Sequence, residues 1–146
     1  MSNSVNLDTL YRQVIMDHYK NPRNKGVLED SLTIDMNNPT CGDRIRLTLD
    51  IEDDIVKDAK FDGEGCSISM SSASMMTQAI KGKSLDKALQ MSQIFSKMMV
   101  GEEYDEDIDL GDIESLQGVA KFPARIKCAT LPWKAMEKGV NNTSNE

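Results

Sequence analysis

The sequence predicts an α+β fold, a small antiparallel sheet of about three strands covered by helices. Two patterns carry that reading. Three runs alternate apolar with polar residues and are separated by short turns, as expected of a sheet with one buried face. On either side of them, apolar residues recur every three or four positions, which is helical spacing. A chain of 146 residues, 39% hydrophobic and 28% charged, suits one globular domain spanning 1–146 with a single core.

Met1 to Asn6 is polar and reads as a loose N-terminal tail, with Asn6 as the cap of the first helix. Leu7, Leu10, Tyr11, Val14, Ile15 and His18 or Tyr19 form the apolar stripe of that helix. Pro22 and Gly26 end it, because proline removes a donor and glycine accepts positive φ. Lys20, Arg23 and Lys25 cluster there, favourable charges at a helix C-terminus more than a docking patch.

Leu32, Ile34 and Met36 give one strand, and Ile45, Leu47, Leu49 and Ile51 the next. Glu52-Asp53-Asp54 turns the chain into a third strand through Ile55, Val56, Ala59 and Phe61. Short connections make the three a meander. Cys66 to Ile80 reads as a helix packed closely on the sheet despite its many serines. After Gly82, Ser84 caps another helix through Met98, whose methionines suit adaptable core packing. The acidic run between Gly101 and Gly111 reads as a solvated loop, its spacing unlike that of a calcium loop. A short helix is expected around Ile113 to Leu116 and a last one over Trp133 to Lys138. Asn141 to Glu146 reads as a loose tail.

No apolar run is long enough to cross a bilayer, and the N-terminus lacks the charged-then-apolar pattern of a leader. The expectation is a cytoplasmic protein. Three cysteines, an odd number, agree with reduced thiols rather than a disulfide framework. Seventeen basic against 24 acidic residues, a net charge of −7, argue against general nucleic-acid binding.

The chemistry concentrates on the three thiols. Cys41 lies in the turn Asn38-Pro39-Thr40-Cys41-Gly42-Asp43, Cys66 follows Gly65 at a helix start, and Cys128 follows Arg125 and Lys127. Each stands at the end of an expected element, where side chains can converge. Backbone N–H groups at a helix N-terminus favour a thiolate, so Cys66 is placed to ionise. Together with Asp43 they make a four-ligand set suited to tetrahedral Zn2+. The same residues could instead support nucleophilic catalysis or simply pack. With a single His, His18, a Cys–His hydrolase would pair it with Cys41 and Asp43; a helix-end His with a local hydrogen bond is the simpler reading.

Several motifs resemble the iron–sulfur scaffold-like family of IscU and its relatives, the NifU N-terminal-like proteins. They are Asp17 to Asn24, Asn38 to Asp43, Gly63 to Ser71, and Cys128 ahead of a terminal helix. The resemblance spans nearly the whole chain and implies an α+β fold. Two departures from IscU point to its SufU-like branch. Lys127 stands where IscU carries a His, and Phe122-Pro123-Ala124-Arg125-Ile126 replaces the segment gripped by a chaperone. The Cys66 to Cys128 interval is also longer.

This resemblance implies a zinc-dependent sulfurtransferase of the SUF system. Its metal ligands would be Cys41, Asp43, Cys66 and Cys128. Cys41 would be the thiol that accepts persulfide sulfur from the cysteine desulfurase SufS, released for attack when SufS supplies a replacement ligand. A SUF scaffold complex would stand downstream. Arg125 would moderate the charge of the site or bind Asp43, its plainer role being a surface ion pair. The alternative is a scaffold carrying a transient Fe–S cluster, against which Lys127 counts.

Overall fold

The structure, a computed structural model, describes residues 3–29, 31–38, 42–104 and 110–144. Its elements in chain order are α1 (Asn3–Lys20), β1 (Leu32–Asn38), β2 (Asp43–Glu52), β3 (Ile55–Glu64), α2 (Ser67–Ile80) and α3 (Leu85–Val100). A 3-10 helix (Gly111–Lys121) and α4 (Pro123–Ser144) complete the fold. The fold is α+β, as expected.

The sheet is an antiparallel meander in the order β1-β2-β3. Alternation sets its register: Ile34 pairs with Leu47, and Leu47 with Phe61, so one face is apolar throughout. Ile45, Leu47, Leu49, Val56, Ala59 and Phe61 are at most 2% exposed. On the other face, opposed charges meet across the strands. Arg46 donates to Asp35 at 2.8 Å, and Arg44 to Glu64 at 3.0 Å. Asp53 and Asp54 both adopt positive φ (53° and 60°), the backbone of a tight two-residue hairpin within the expected Glu52-Asp53-Asp54 turn. The edge of β3 is covered by the segment after α1, where the Gly26 N–H donates to the Phe61 carbonyl at 2.8 Å.

Helix α2 packs against β3, α1 and α4, which places it at the centre of the molecule. Its small residues permit that. Ser69, Ser71, Ser72, Ala73 and Ser74 are all buried. Ser71 Oγ donates to the Ile15 carbonyl of α1 at 2.6 Å and Ser72 Oγ to the Ala129 carbonyl of α4 at 2.5 Å. Ser84 caps α3 by accepting from the Lys87 N–H, and Gly101 ends it in the left-handed region. Phe95 of α3 stacks on Trp133 of α4 at a centroid distance of 5.2 Å.

Four boundaries differ from expectation. Helix α1 begins at Asn3, so Asn6 lies within it rather than at its cap, and the 1–6 tail is helical from residue 3. Once a packed stripe nucleates a helix, added polar residues extend it at little cost. The same reason carries α4 to Ser144, into the expected 141–146 tail. At its other end α4 starts at Pro123, ten residues before Trp133, because proline is well suited to the first helical position. Cys128 is therefore inside the terminal helix rather than ahead of it. The short helix expected at 113–116 runs from Gly111 to Lys121 as 3-10 helix. Of the acidic run, 105–109 lies outside the described residues.

Candidate metal centre

Three of the four expected ligands come together. Asp43 opens β2, opposite Asn38 in the register. Cys66 is the N-cap of α2, and Cys128 lies in the second turn of α4, fully buried. One ligand atom from each can be chosen so that all lie within 4.8 Å of one another. Residues 39–41 are outside the described residues, and the expected fourth ligand, Cys41, lies there. The backbone after it is tight: the Gly42 N–H donates to the Asn38 carbonyl at 2.8 Å. Gly42 has a φ of 73°, a conformation that glycine tolerates without strain.

Asp43 is fully buried. Its Oδ1 accepts the Cys66 backbone N–H at 3.0 Å. Its Oδ2 is also buried and has no hydrogen-bond partner among the described residues. Removing a carboxylate oxygen from water without a donor is costly, and a cation shared with the two thiols would offset that cost. Two sulfurs and one carboxylate oxygen suit Zn2+, which takes both donor types in tetrahedral sites. The donor set fits the metal.

Arg125, on the first turn of α4, is exposed and lies beside the thiols, with no carboxylate ion pair among the described residues. The guanidinium's pKa is raised above its ordinary value, first by Coulombic attraction to Cys66 and next by hydrogen bonding to Cys128. A cation at this position offsets the negative charge that deprotonated thiols bring.

His18 stands in the last turn of α1, as the sequence suggests, but its partners are distant in the chain rather than local. It is fully buried. Its Nδ1 lies 2.8 Å from Ser74 Oγ and its Nε2 lies 2.8 Å from Asp112 Oδ2. Both ring nitrogens are therefore engaged by α2 and the 3-10 helix, which leaves neither to serve as base for a thiol.

Two contributors to the site are missed by sequence reasoning. Ser69 Oγ donates to the Cys66 carbonyl at 3.1 Å and lies 3.8 Å from Cys66 Sγ. The available signal is its position three residues after the N-cap, the spacing of capping interactions. The Cys66 backbone N–H that holds Asp43 has no side-chain signal at all.

A family model for the NifU-like N terminal domain matches residues 10–129. The zinc-dependent sulfurtransferase SufU of Bacillus subtilis (strain 168) is 79% identical over 140 residues, covering 96% of this chain and 95% of that protein. The iron–sulfur cluster assembly scaffold protein IscU of Streptococcus pyogenes serotype M1 is 46% identical over 139 residues, with coverage of 95% and 87%. Among crystal structures, FiSufU from Fervidobacterium islandicum AW-1 superposes with a TM-score of 0.84 at 36% identity, covering 88% of this chain and 94% of that one.

Proposed function

The chain belongs to the NifU-like N-terminal domain family, and from that premise we propose that it is a zinc-dependent sulfurtransferase of iron–sulfur cluster assembly. It would take persulfide sulfur from the cysteine desulfurase SufS on Cys41 and relay it to a SUF scaffold complex in the cytoplasm. The observation that carries this reading is the convergence of Asp43, Cys66 and Cys128 on one point, with a buried Asp43 oxygen that lacks a donor among the described residues. The 79% identity to a protein named as such a sulfurtransferase supports it.

Asp43, Cys66 and Cys128 would hold the metal, with Cys41 as the fourth ligand. Bound there, Zn2+ would keep the thiols deprotonated and add no redox chemistry of its own. The residues then divide the work. Asp43 is fixed by the Cys66 N–H, and Arg125 offsets charge at the two thiols. Cys41, freed from the site, attacks as thiolate the outer sulfur of the donor's persulfide. A sulfur–sulfur bond forms on Cys41, the donor's own sulfur–sulfur bond breaks, and the donor cysteine leaves as thiolate. No external oxidant is needed, because the sulfane sulfur moves at constant oxidation level.

The test adds SufS and cysteine to the purified protein and follows sulfide release under reducing conditions. Wild type should stimulate turnover, and Cys41→Ala, still folded, should not. Equal stimulation by Cys41→Ala would refute the assignment. Metal content separates the scaffold reading, favoured by likeness to IscU, from sulfur transfer. Colourless protein with one zinc per chain supports transfer; brown, iron-containing protein supports scaffolding.

A further inference from the structure

We infer that Gly65 is a positioning residue for the metal centre: its missing side chain makes the space in which the Asp43 carboxylate is aimed. The inference rests on the reading of Asp43, Cys66 and Cys128 as metal ligands.

Gly65 lacks a positive φ, so its backbone conformation is open to any residue and does not explain a glycine. Space does. A Cβ at Gly65 would lie 2.6 Å from Asp43 Oδ1 and 3.2 Å from Asp43 Cγ, and closer still to Ser69 Oγ. Contacts under 3 Å are not sustained by real Cβ atoms, so something would have to move. Ser69 is 1% exposed and tied to the Cys66 carbonyl. Asp43 is fixed at the start of β2 and fully buried. The freedom left to it is rotation of the carboxylate about its side-chain bonds.

That rotation has a chemical consequence. Oδ1 is the atom that accepts the Cys66 N–H, and Oδ2 is the atom without a partner among the described residues. Turning Oδ1 away from position 65 breaks the hydrogen bond and swings Oδ2 off its line. Gly65, the Cys66 N–H and Ser69 therefore act as a cradle that leaves one carboxylate oxygen for the protein and the other for the metal. Supports of this kind commonly set metal affinity by 10- to 100-fold.

The test measures Zn2+ affinity by competition with a chromophoric chelator, and the visible spectrum of the Co2+-substituted protein, for Gly65→Ala, Asp43→Ala and the double variant. Gly65→Ala should bind Zn2+ about 10- to 100-fold more weakly, with a Co2+ spectrum shifted toward that of Asp43→Ala. In the Asp43→Ala background, adding Gly65→Ala should change affinity by less than about two-fold, because both act through one carboxylate. Full affinity in Gly65→Ala would overturn the inference, as would a loss that persists undiminished without Asp43. Should Gly65→Ala not fold, Gly65→Ala/Ser69→Ala measured against Ser69→Ala leaves the approach to Asp43 as the tight contact, with the same expectation. Failure of wild type to bind either metal would instead refute the site itself.

Discussion

The imidazole of His18 is held at both nitrogens. Ser74 Oγ lies against Nδ1 and also accepts the Arg23 N–H at 2.8 Å, while Nε2 faces Asp112. These contacts engage both ring nitrogens in a fully buried position. His18→Ala should therefore lose about 2–4 kcal/mol of stability through a cavity and an abandoned Ser74 hydroxyl. Urea denaturation of zinc-free and zinc-loaded protein should show the same loss in both, since His18 is not a ligand; a loss confined to the loaded form would contradict that. The sequence could not supply this role. The two partners of His18 stand 56 and 94 positions away, and only the packing of three elements brings them together. Cys66 and Cys128 stood out because the chain has only three cysteines, and Asp43 by its place two residues after Cys41, whereas Gly65 works through the absence of atoms.

At the scale of elements, α2 joins the sheet to the site. Its serines lower helix propensity, yet they let α1 and α4 approach and then bind carbonyls on those helices. Ser72→Val should test this directly. It would insert a methyl group into the α2–α4 contact and remove the donor to the Ala129 carbonyl, next to Cys128. We expect a destabilisation of about 1–3 kcal/mol and a zinc off-rate faster than in wild type, read by chelator competition. An unchanged melt would mean that the contact is more yielding than its burial indicates. The strands were readable because alternation registers one buried face residue by residue. Helix ends were not, since α1 and α4 run on through polar residues and Pro132 sits inside α4. Pro132 resembles a stop, since it removes the bond to the Cys128 carbonyl and crowds that carbonyl with its ring, but burial of Trp133, Met136 and Val140 beyond it favours continuing the helix.

For the whole molecule, the candidate ligands come from β2, α2 and α4, so a bound metal would tie the sheet to two helices. Binding to the folded state alone adds about 2.7 kcal/mol at a free metal concentration 100 times Kd. Stripping zinc with a chelator should accordingly lower Tm, and re-addition should restore it; an unchanged melt after verified removal would contradict a folded-state site. Charge sets a second dependence. Hydrogen bonds from Arg23 and Arg46 hold the carboxyls of Asp17 and Asp35 below their ordinary value of 3.8. Their stabilisation is complete above that ordinary value and is lost as pH falls through the lowered folded value. Both groups are on the surface, so the effect is small. In metal-free protein, the stability gap between wild type and Asp35→Asn should close on moving from about pH 7 to about pH 3; a gap that widened would have the wrong sign. Among the described residues no helix is long and apolar enough to cross a membrane.

The central claim is that a zinc-site cysteine collects sulfur, and mass mapping of the thiols tests it most directly. The protein is incubated with SufS and heavy-sulfur cysteine, trapped with an alkylating reagent, digested and sequenced by mass spectrometry. The account predicts one added heavy sulfur on the peptide containing Cys41, with Cys66 and Cys128 unmodified, and no label anywhere in Cys41→Ala. Label on Cys66 or Cys128 with Cys41 untouched would contradict it.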